Sequence, residues 1–268
     1  SELSAAQGFA RHLGVENVAC TVSAEEFFDA MRKGAAPVTS LLPTAAYEEY
    51  FEPVFAAGRD ILFVAFSSQL SGTIQNIYAA REELLQRYPE RRMIVVDTLS
   101  ISLPQSILVL KAHELYRQGK TMDEVAAWLE ENKSRSQAFF TVDDLTYLRR
   151  GGRISAVAAT VGTMLDLKPI ITEGRNGKLL STDKVRGRKQ ALRTLAELAA
   201  QNIDDPAEAE MYVLHADAPE DADRLVQLLR EKIPGLGNIS TRYVGPVIGA
   251  HCGPGTVAVC FFGKERPY

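Results

Sequence analysis

The hydrophobic and polar positions alternate between two periods along the chain. Ile61-Leu62-Phe63-Val64-Ala65-Phe66 is an unbroken apolar run of strand length, and Met93-Ile94-Val95-Val96 is a second. Runs of this kind predict strands buried on both faces, as in a parallel sheet. Between and around them the period changes to that of amphipathic helices: Ala45 to Phe55, Ile74 to Tyr88, and about Pro104 to Tyr116. Ser23-Ala24-Glu25-Glu26 and Thr121-Met122-Asp123-Glu124 read as capping boxes, each opening a further helix. Strand and helix in alternation imply right-handed crossovers and a three-layer α/β/α domain with a parallel sheet.

The grammar shifts near Ser134. Gln137 to Val142 predicts a strand, Ser155 to Leu165 a small apolar helix, and Leu167 to Thr172 with Lys178 to Arg186 a hairpin closed by Asn176-Gly177. A helix (Gln190 to Asn202), a strand (Met211 to Ala216), a helix (Ala222 to Ile233) and two strands (Ile239 to Val244, Val257 to Phe262) follow. A hairpin requires antiparallel neighbours, so this part predicts a two-layer α/β domain with a mixed sheet. The expected division is therefore residues 1–135 and 136–268.

Composition narrows the function classes. With 46% hydrophobic residues in 268, a sizeable core needs no staples. The formal net charge of −4 argues against a general nucleic-acid binder, which carries a basic field. Three cysteines (Cys20, Cys252, Cys260) with no C-x-x-C, and four scattered histidines, predict reduced thiols, a cytoplasmic setting and no metal site. No apolar run reaches the roughly 18 residues of a membrane span. Ser1-Glu2-Leu3-Ser4 has neither the basic flank nor the apolar core of a signal peptide.

The most chemical segment of the first half is Ser67-Ser68-Gln69-Leu70-Ser71-Gly72-Thr73. It leaves the carboxyl end of a strand, where open α/β sheets bind ligands, and enters a helix whose first N–H groups attract anions. Gly72 lets backbone approach a ligand, and Ser68, Ser71 and Thr73 offer hydroxyls. The competing readings are a plain helix cap, which needs only one hydroxyl, and a serine hydrolase, which needs a G-x-S-x-G pentad that is absent. Thr39-Ser40 forms a second hydroxyl pair in a loop between two helices.

In the second half, Arg149-Arg150-Gly151-Gly152-Arg153 and Lys184-Val185-Arg186-Gly187-Arg188-Lys189 are basic clusters beside glycine turns. Arginine forks suit phosphate, although solvated surface charge is the ordinary explanation. Gly245 to Thr256 holds four glycines and two prolines and reads as a costly loop with His251 in its middle. His251 suits a phosphate or carboxylate contact, a proton shuttle or a structural role.

Taken in order, S-S-x-L-S-G-T (Ser67 to Thr73), Val96-Asp97-Thr98, L-x-x-G-G-R-I (Leu148 to Ile154), L-K-P-I (Leu167 to Ile170), K-x-R-G (Lys184 to Gly187) and P-V-I-G-x-H-x-G-P-G (Pro246 to Gly255) resemble the motif set of the DegV family of fatty-acid-binding proteins. The resemblance covers nearly the whole chain. It implies a two-domain α/β fold with an acyl chain between the domains and no cofactor beyond the bound fatty acid, such as palmitate or oleate. It implies no catalytic residues. The carboxylate falls to Thr39 and Ser71, with Ser68 and Gly72 of the same turn. It further implies presentation of that carboxylate to a separate ATP-dependent fatty acid kinase, which makes an acyl phosphate for phospholipid synthesis. Arg153, Arg186 and His251 match the family's handover residues.

The chain departs from the family pattern in four places. The usual opening strand with its T-D-S motif looks absent or unrecorded, and Val15 to Ser23 looks short. The T-S-Q-P loop reads Thr39-Ser40-Leu41-Leu42-Pro43, and a glycine-rich helix start reads Ser102-Leu103-Pro104-Gln105-Ser106. The last change bears on chain-length specificity. The alternatives are an enzyme acting on a small phosphorylated or carboxylated substrate through Arg153, Arg186 and His251, and a ligand sensor without lipid handover. A Walker-type phosphate loop is absent, which argues against intrinsic use of ATP.

Overall fold

The computed structural model describes residues 22–153 and 166–268. The expected helix Ser155 to Leu165 lies outside the described residues. In chain order the elements are α1 (Ala24–Arg32), α2 (Thr44–Ala56), β1 (Ile61–Ala65), α3 (Thr73–Arg87), β2 (Met93–Asp97), α4 (Ser102–Arg117) and α5 (Met122–Asn132). They continue with β3 (Ser136–Thr141), α6 (Thr146–Arg150), β4 (Leu167–Glu173), β5 (Leu179–Arg186), α7 (Arg188–Asn202), β6 (Glu210–His215), α8 (Pro219–Lys232), β7 (Asn238–Tyr243), α9 (Pro246–Cys252) and β8 (Val257–Phe262). The fold is the expected α/β class, with one small parallel sheet and one larger mixed sheet.

The chain forms two compact units that interleave along the sequence. One comprises Ser40–Gln137, Glu173–Lys178 and Glu265–Tyr268; the other comprises residues up to Thr39, Ala138–Thr172 and Leu179–Lys264.

In the unit that holds Ser40–Gln137, β1 and β2 pair in parallel, from Ile61 opposite Met93 to Ala65 opposite Asp97. Phe51 and Phe55 of α2, Ile77 and Leu84 of α3, and Met93 form a buried cluster with Phe63 packed against it. The two capping boxes form as the sequence requires. Ser23 and Glu26 exchange side-chain and backbone bonds at α1, in the other unit, and Thr121 and Glu124 do so at α5. One expectation is corrected. Ile61 to Val64 are half-buried and only Ala65 of β1 is fully buried, because among the described residues β1 and β2 pair with each other alone.

In the other unit the sheet order is β5-β4-β3-β8-β6-β7. It is mixed, with β3 antiparallel to β4, β6 parallel to β7 and β6 antiparallel to β8. Leu192 and Leu195 of α7, Leu225 and Leu229 of α8, and Val213, Val259 and Phe261 of the sheet form its core.

The segment expected as a glycine-proline loop around His251 is instead largely helical. Pro246 occupies the first turn of α9, where its missing N–H costs nothing. Gly253, at φ 78°, ends the helix. Gly249 lies against Phe28 of α1, where an added Cβ would stand 2.8 Å from the ring. The glycines here serve close helix packing and a stop rather than an open loop.

Candidate functional site

The hydroxyl-rich turn is built on buried polar contacts within its own unit. Ser67 is fully buried. Its N–H donates to the Ser100 carbonyl at 2.9 Å, and its Oγ donates to the Gly177 carbonyl at 2.9 Å. The Ser68 N–H donates to Asp97 Oδ1 at 3.2 Å, which pins the turn to the end of β2. The Leu70 and Ser71 amides both donate to the Ser67 carbonyl, at 3.2 and 3.3 Å.

Ser71 does the capping. Its Oγ accepts from the Thr73 N–H at 3.2 Å and shares a hydrogen bond with Thr73 Oγ1 at 2.9 Å. Gly72, the residue at the cap position of α3, contributes no side chain and is exposed. A half-buried pair of hydroxyls at a helix N-terminus is therefore available to a negative charge without any basic residue. The loop ahead of α2 runs beside this turn. Asn76 Nδ2 donates to the Leu42 carbonyl at 2.7 Å, and the Leu41 side chain stands 3.4 Å from where a Cβ on Gly72 would be.

The other unit brings three of the sequence-nominated residues together. Thr39 Oγ1 and His251 Nε2 lie 2.9 Å apart, although 212 residues separate them. His251 Nδ1 is buried and has no hydrogen-bond partner among the described residues. It faces Gly151, where an added Cβ would come within 2.3 Å of that nitrogen. Arg153 turns its Nη1 onto the Gly151 carbonyl. Burial first, and the Arg153 cation second, hold the His251 imidazolium below its ordinary range. The ring is thus neutral at neutral pH, able to give or take one hydrogen bond with Thr39 depending on tautomer. Arg186 lies at the exposed end of β5, followed by Gly187 at φ 81°.

This arrangement predicts an NMR result. The His251 imidazole should titrate below 6.5, its ordinary value. Arg153→Ala should raise its midpoint, because a neighbouring cation is lost. A midpoint unmoved by that substitution would contradict the electrostatic coupling.

Two further features escaped the motif reading. Glu173 and Arg266 form a fully buried ion pair, 3.1 Å between Arg266 Nη2 and Glu173 Oε2. Gly253 presses against the Tyr147 ring, and an added Cβ there would meet Tyr147 Cδ2 at 2.2 Å. Gly151 marks a close approach, that of the His251 ring, and Gly152 a turn at φ 71°, while nothing local marked Glu173 or Arg266.

Residues 15–264 match the DegV family, whose members are described as uncharacterised proteins. The chain belongs to the DegV family. A DegV domain-containing protein of Clostridium perfringens is 40% identical over 252 residues, covering 94% of this chain and 86% of its own. Among solved structures, a fatty acid binding DegV family protein from Streptococcus agalactiae superposes with a TM-score of 0.79 at 27% identity, covering 91% of this chain and 85% of its own. DegV from Bacillus subtilis, described as a fatty acid binding protein, gives a TM-score of 0.75 at 30% identity, with coverages of 90% and 84%. The two-domain α/β arrangement is common to this chain and those DegV structures. Among the described residues, no helix is long and apolar enough to cross a membrane.

Proposed function

We propose that this DegV protein binds a long-chain fatty acid and holds its carboxylate through Ser71, assisted by Ser68 and Gly72 of the same turn and by Thr39. The observation that carries this reading is the likeness to DegV proteins described as fatty acid binding at 27% and 30% identity. The Ser71–Thr73 hydroxyl pair at the start of α3 supports it, since a carboxylate is a group that such a pair and a helix N-terminus favour. The protein acts as a carrier rather than a catalyst. Its cargo is presented to a separate ATP-dependent kinase, with Arg153, Arg186 and His251 offering charge and hydrogen bonds to the acyl phosphate. The reading rests on the ordered motifs of the sequence and on the Arg153–His251 coupling.

Denaturing mass spectrometry of the purified protein should reveal a co-purified acyl chain, and palmitate or oleate should raise its melting temperature. Neither signal in a properly folded sample would end the proposal. Ser71→Ala should weaken fatty acid binding by roughly 10- to 100-fold, the span of one charge-assisted hydrogen bond. Arg153→Ala should leave that affinity within about twofold, since no bond to the carboxylate is lost, and should impair phosphorylation of the bound acid by the kinase. Equal losses of binding in both variants would contradict the division of roles.

A further inference from the structure

The turn that carries Ser71 rests on a buried polar platform assembled from segments remote in sequence. Arg266 is its centre. Its guanidinium donates to the Leu99 carbonyl at 2.7 Å, to the Gly174 carbonyl at 3.2 Å and to the Ser136 carbonyl at 2.9 and 3.0 Å, and it also reaches Ser100 Oγ. Its own N–H donates to the Ser134 carbonyl at 2.8 Å. Glu173 completes the pair and accepts the Ile101 N–H at 2.8 Å. These contacts fix the loop after β2, residues 98–101, from two sides. That loop and the first residue of α4 contain two non-glycine residues in the left-handed region, Leu99 at φ 51° and Ser102 at φ 52°. Such backbone persists only where its surroundings over-determine it.

The same loop holds the hydroxyl turn. The Ser100 carbonyl takes the Ser67 N–H, Asp97 Oδ1 takes the Ser68 N–H at 3.2 Å, and Thr98 Oγ1 donates to the Ala65 carbonyl at 2.6 Å. The tip of the β4–β5 hairpin supplies a second support. The Gly177 carbonyl accepts from Ser67 Oγ, and Gly177 itself sits at φ 77° with no room for a Cβ, which would stand 2.6 Å from that oxygen. Ser67, Thr98, Ser100, Ser136, Glu173 and Arg266 are all buried. Stability alone does not call for so many desolvated polar groups under one turn, because apolar packing serves that end at least as well.

We propose that Arg266 and Gly177 are positioning residues for the carboxylate-binding turn: acting through the 98–101 loop and through Ser67, they set where the Ser71 hydroxyl stands. This deepens the fatty acid reading and rests on it. Neither residue touches the ligand in this assignment.

The test uses the full 268-residue chain and two variants that disturb the platform from opposite sides. Arg266→Lys keeps the buried cation but cannot reach its acceptors with a planar fork. Gly177→Ala pushes on Ser67. Leu129→Ala, in α5 and fully buried, serves as a control for lost stability. All are assayed well below their melting temperatures. Hydrogen exchange at the Ser67, Ser68 and Ser71 amides of the ligand-free protein should accelerate in both platform variants and not in the control. Palmitate affinity should fall about tenfold in both, comparable to losing one hydrogen bond, and hold in the control. Unchanged exchange would overturn the proposal whatever the ligand. Accelerated exchange with unchanged palmitate affinity would overturn the positioning role as well. If the unmodified protein binds no fatty acid, the carrier reading fails, and the exchange rates still decide whether the platform governs the turn.

Discussion

At pH 8, where the Glu173 carboxyl is ionised, Glu173→Ala is expected to lower the unfolding free energy by about 3–5 kcal/mol, the range for removing one partner of a buried ion pair. Glu173 and Arg266 are both fully buried, so the substitution strands a guanidinium with no counter-charge and leaves the Ile101 N–H without its acceptor. For a chain of this size, that corresponds to a fall in melting temperature of roughly 10 °C. A loss below about 1 kcal/mol, the value of an exposed pair, would show that the pair is solvated.

A pH dependence accompanies this. Burial pushes the Glu173 carboxyl up to about 7, against the pull of Arg266 and of the Ile101 N–H. The unfolded chain returns it to its ordinary value of 4.5. The folded state therefore holds the extra proton between those values. The stability this lends is complete below the unfolded value and is lost as the pH rises through the folded one. Its size is on the order of 3 kcal/mol. Glu173→Gln lacks the titration. Urea unfolding of the two proteins from pH 5 to pH 8 should show the unmodified protein losing stability relative to the Gln variant. A constant difference would mean that the folded-state shift is absent.

Gly253→Ala is the second large effect, and it has two independent causes. The residue stands at φ 78° and ψ 166°, a region that L side chains scarcely occupy. Its missing Cβ is also the reason that the Tyr147 ring can lie there, since a Cβ 2.2 Å from that ring would be far inside van der Waals range. Backbone strain of about 1–3 kcal/mol and overpacking of similar size together predict a loss of about 2–6 kcal/mol. The consequence extends beyond stability. Tyr147 belongs to α6, which leads into Gly151 and Arg153, and Gly253 closes α9, which carries His251. The His251 imidazole signal should therefore shift in the variant. Calorimetry and one NMR spectrum check both parts. A variant as stable as the parent with His251 unmoved would contradict the tight fit.

Much of this was legible from local chemistry. Ser23 with Glu26, and Thr121 with Glu124, announced two helices because a capping box is self-contained within four residues. Asn176-Gly177 announced the hairpin for the same reason. The hydroxyl turn was legible as a place, and Ser71 as its capping residue emerged only from geometry. The α9 helix was misread because glycine and proline usually argue for loops, and here Gly249 and Gly253 answer to Phe28 and Tyr147, which no local pattern reveals. The pairing of Thr39 with His251, and of Glu173 with Arg266, depends on which distant segments the fold brings together. Local pattern singled out Thr39 and His251 separately, and the family resemblance gave each a role, but nothing in the sequence nominated Glu173 or Arg266.

The interleaving of the two units bears on how the chain matures as it is made. The unit holding Ser40–Gln137 takes Glu173–Lys178 and Glu265–Tyr268 from much later in the sequence. Until Arg266 has been synthesised, the carbonyls of Leu99, Ser134 and Ser136 lack their donor, and until Gly177 has been made, Ser67 Oγ lacks its acceptor. The hydroxyl turn is thus encoded early and finished last. A nascent chain would hold the residues of this turn long before the turn could take its final form.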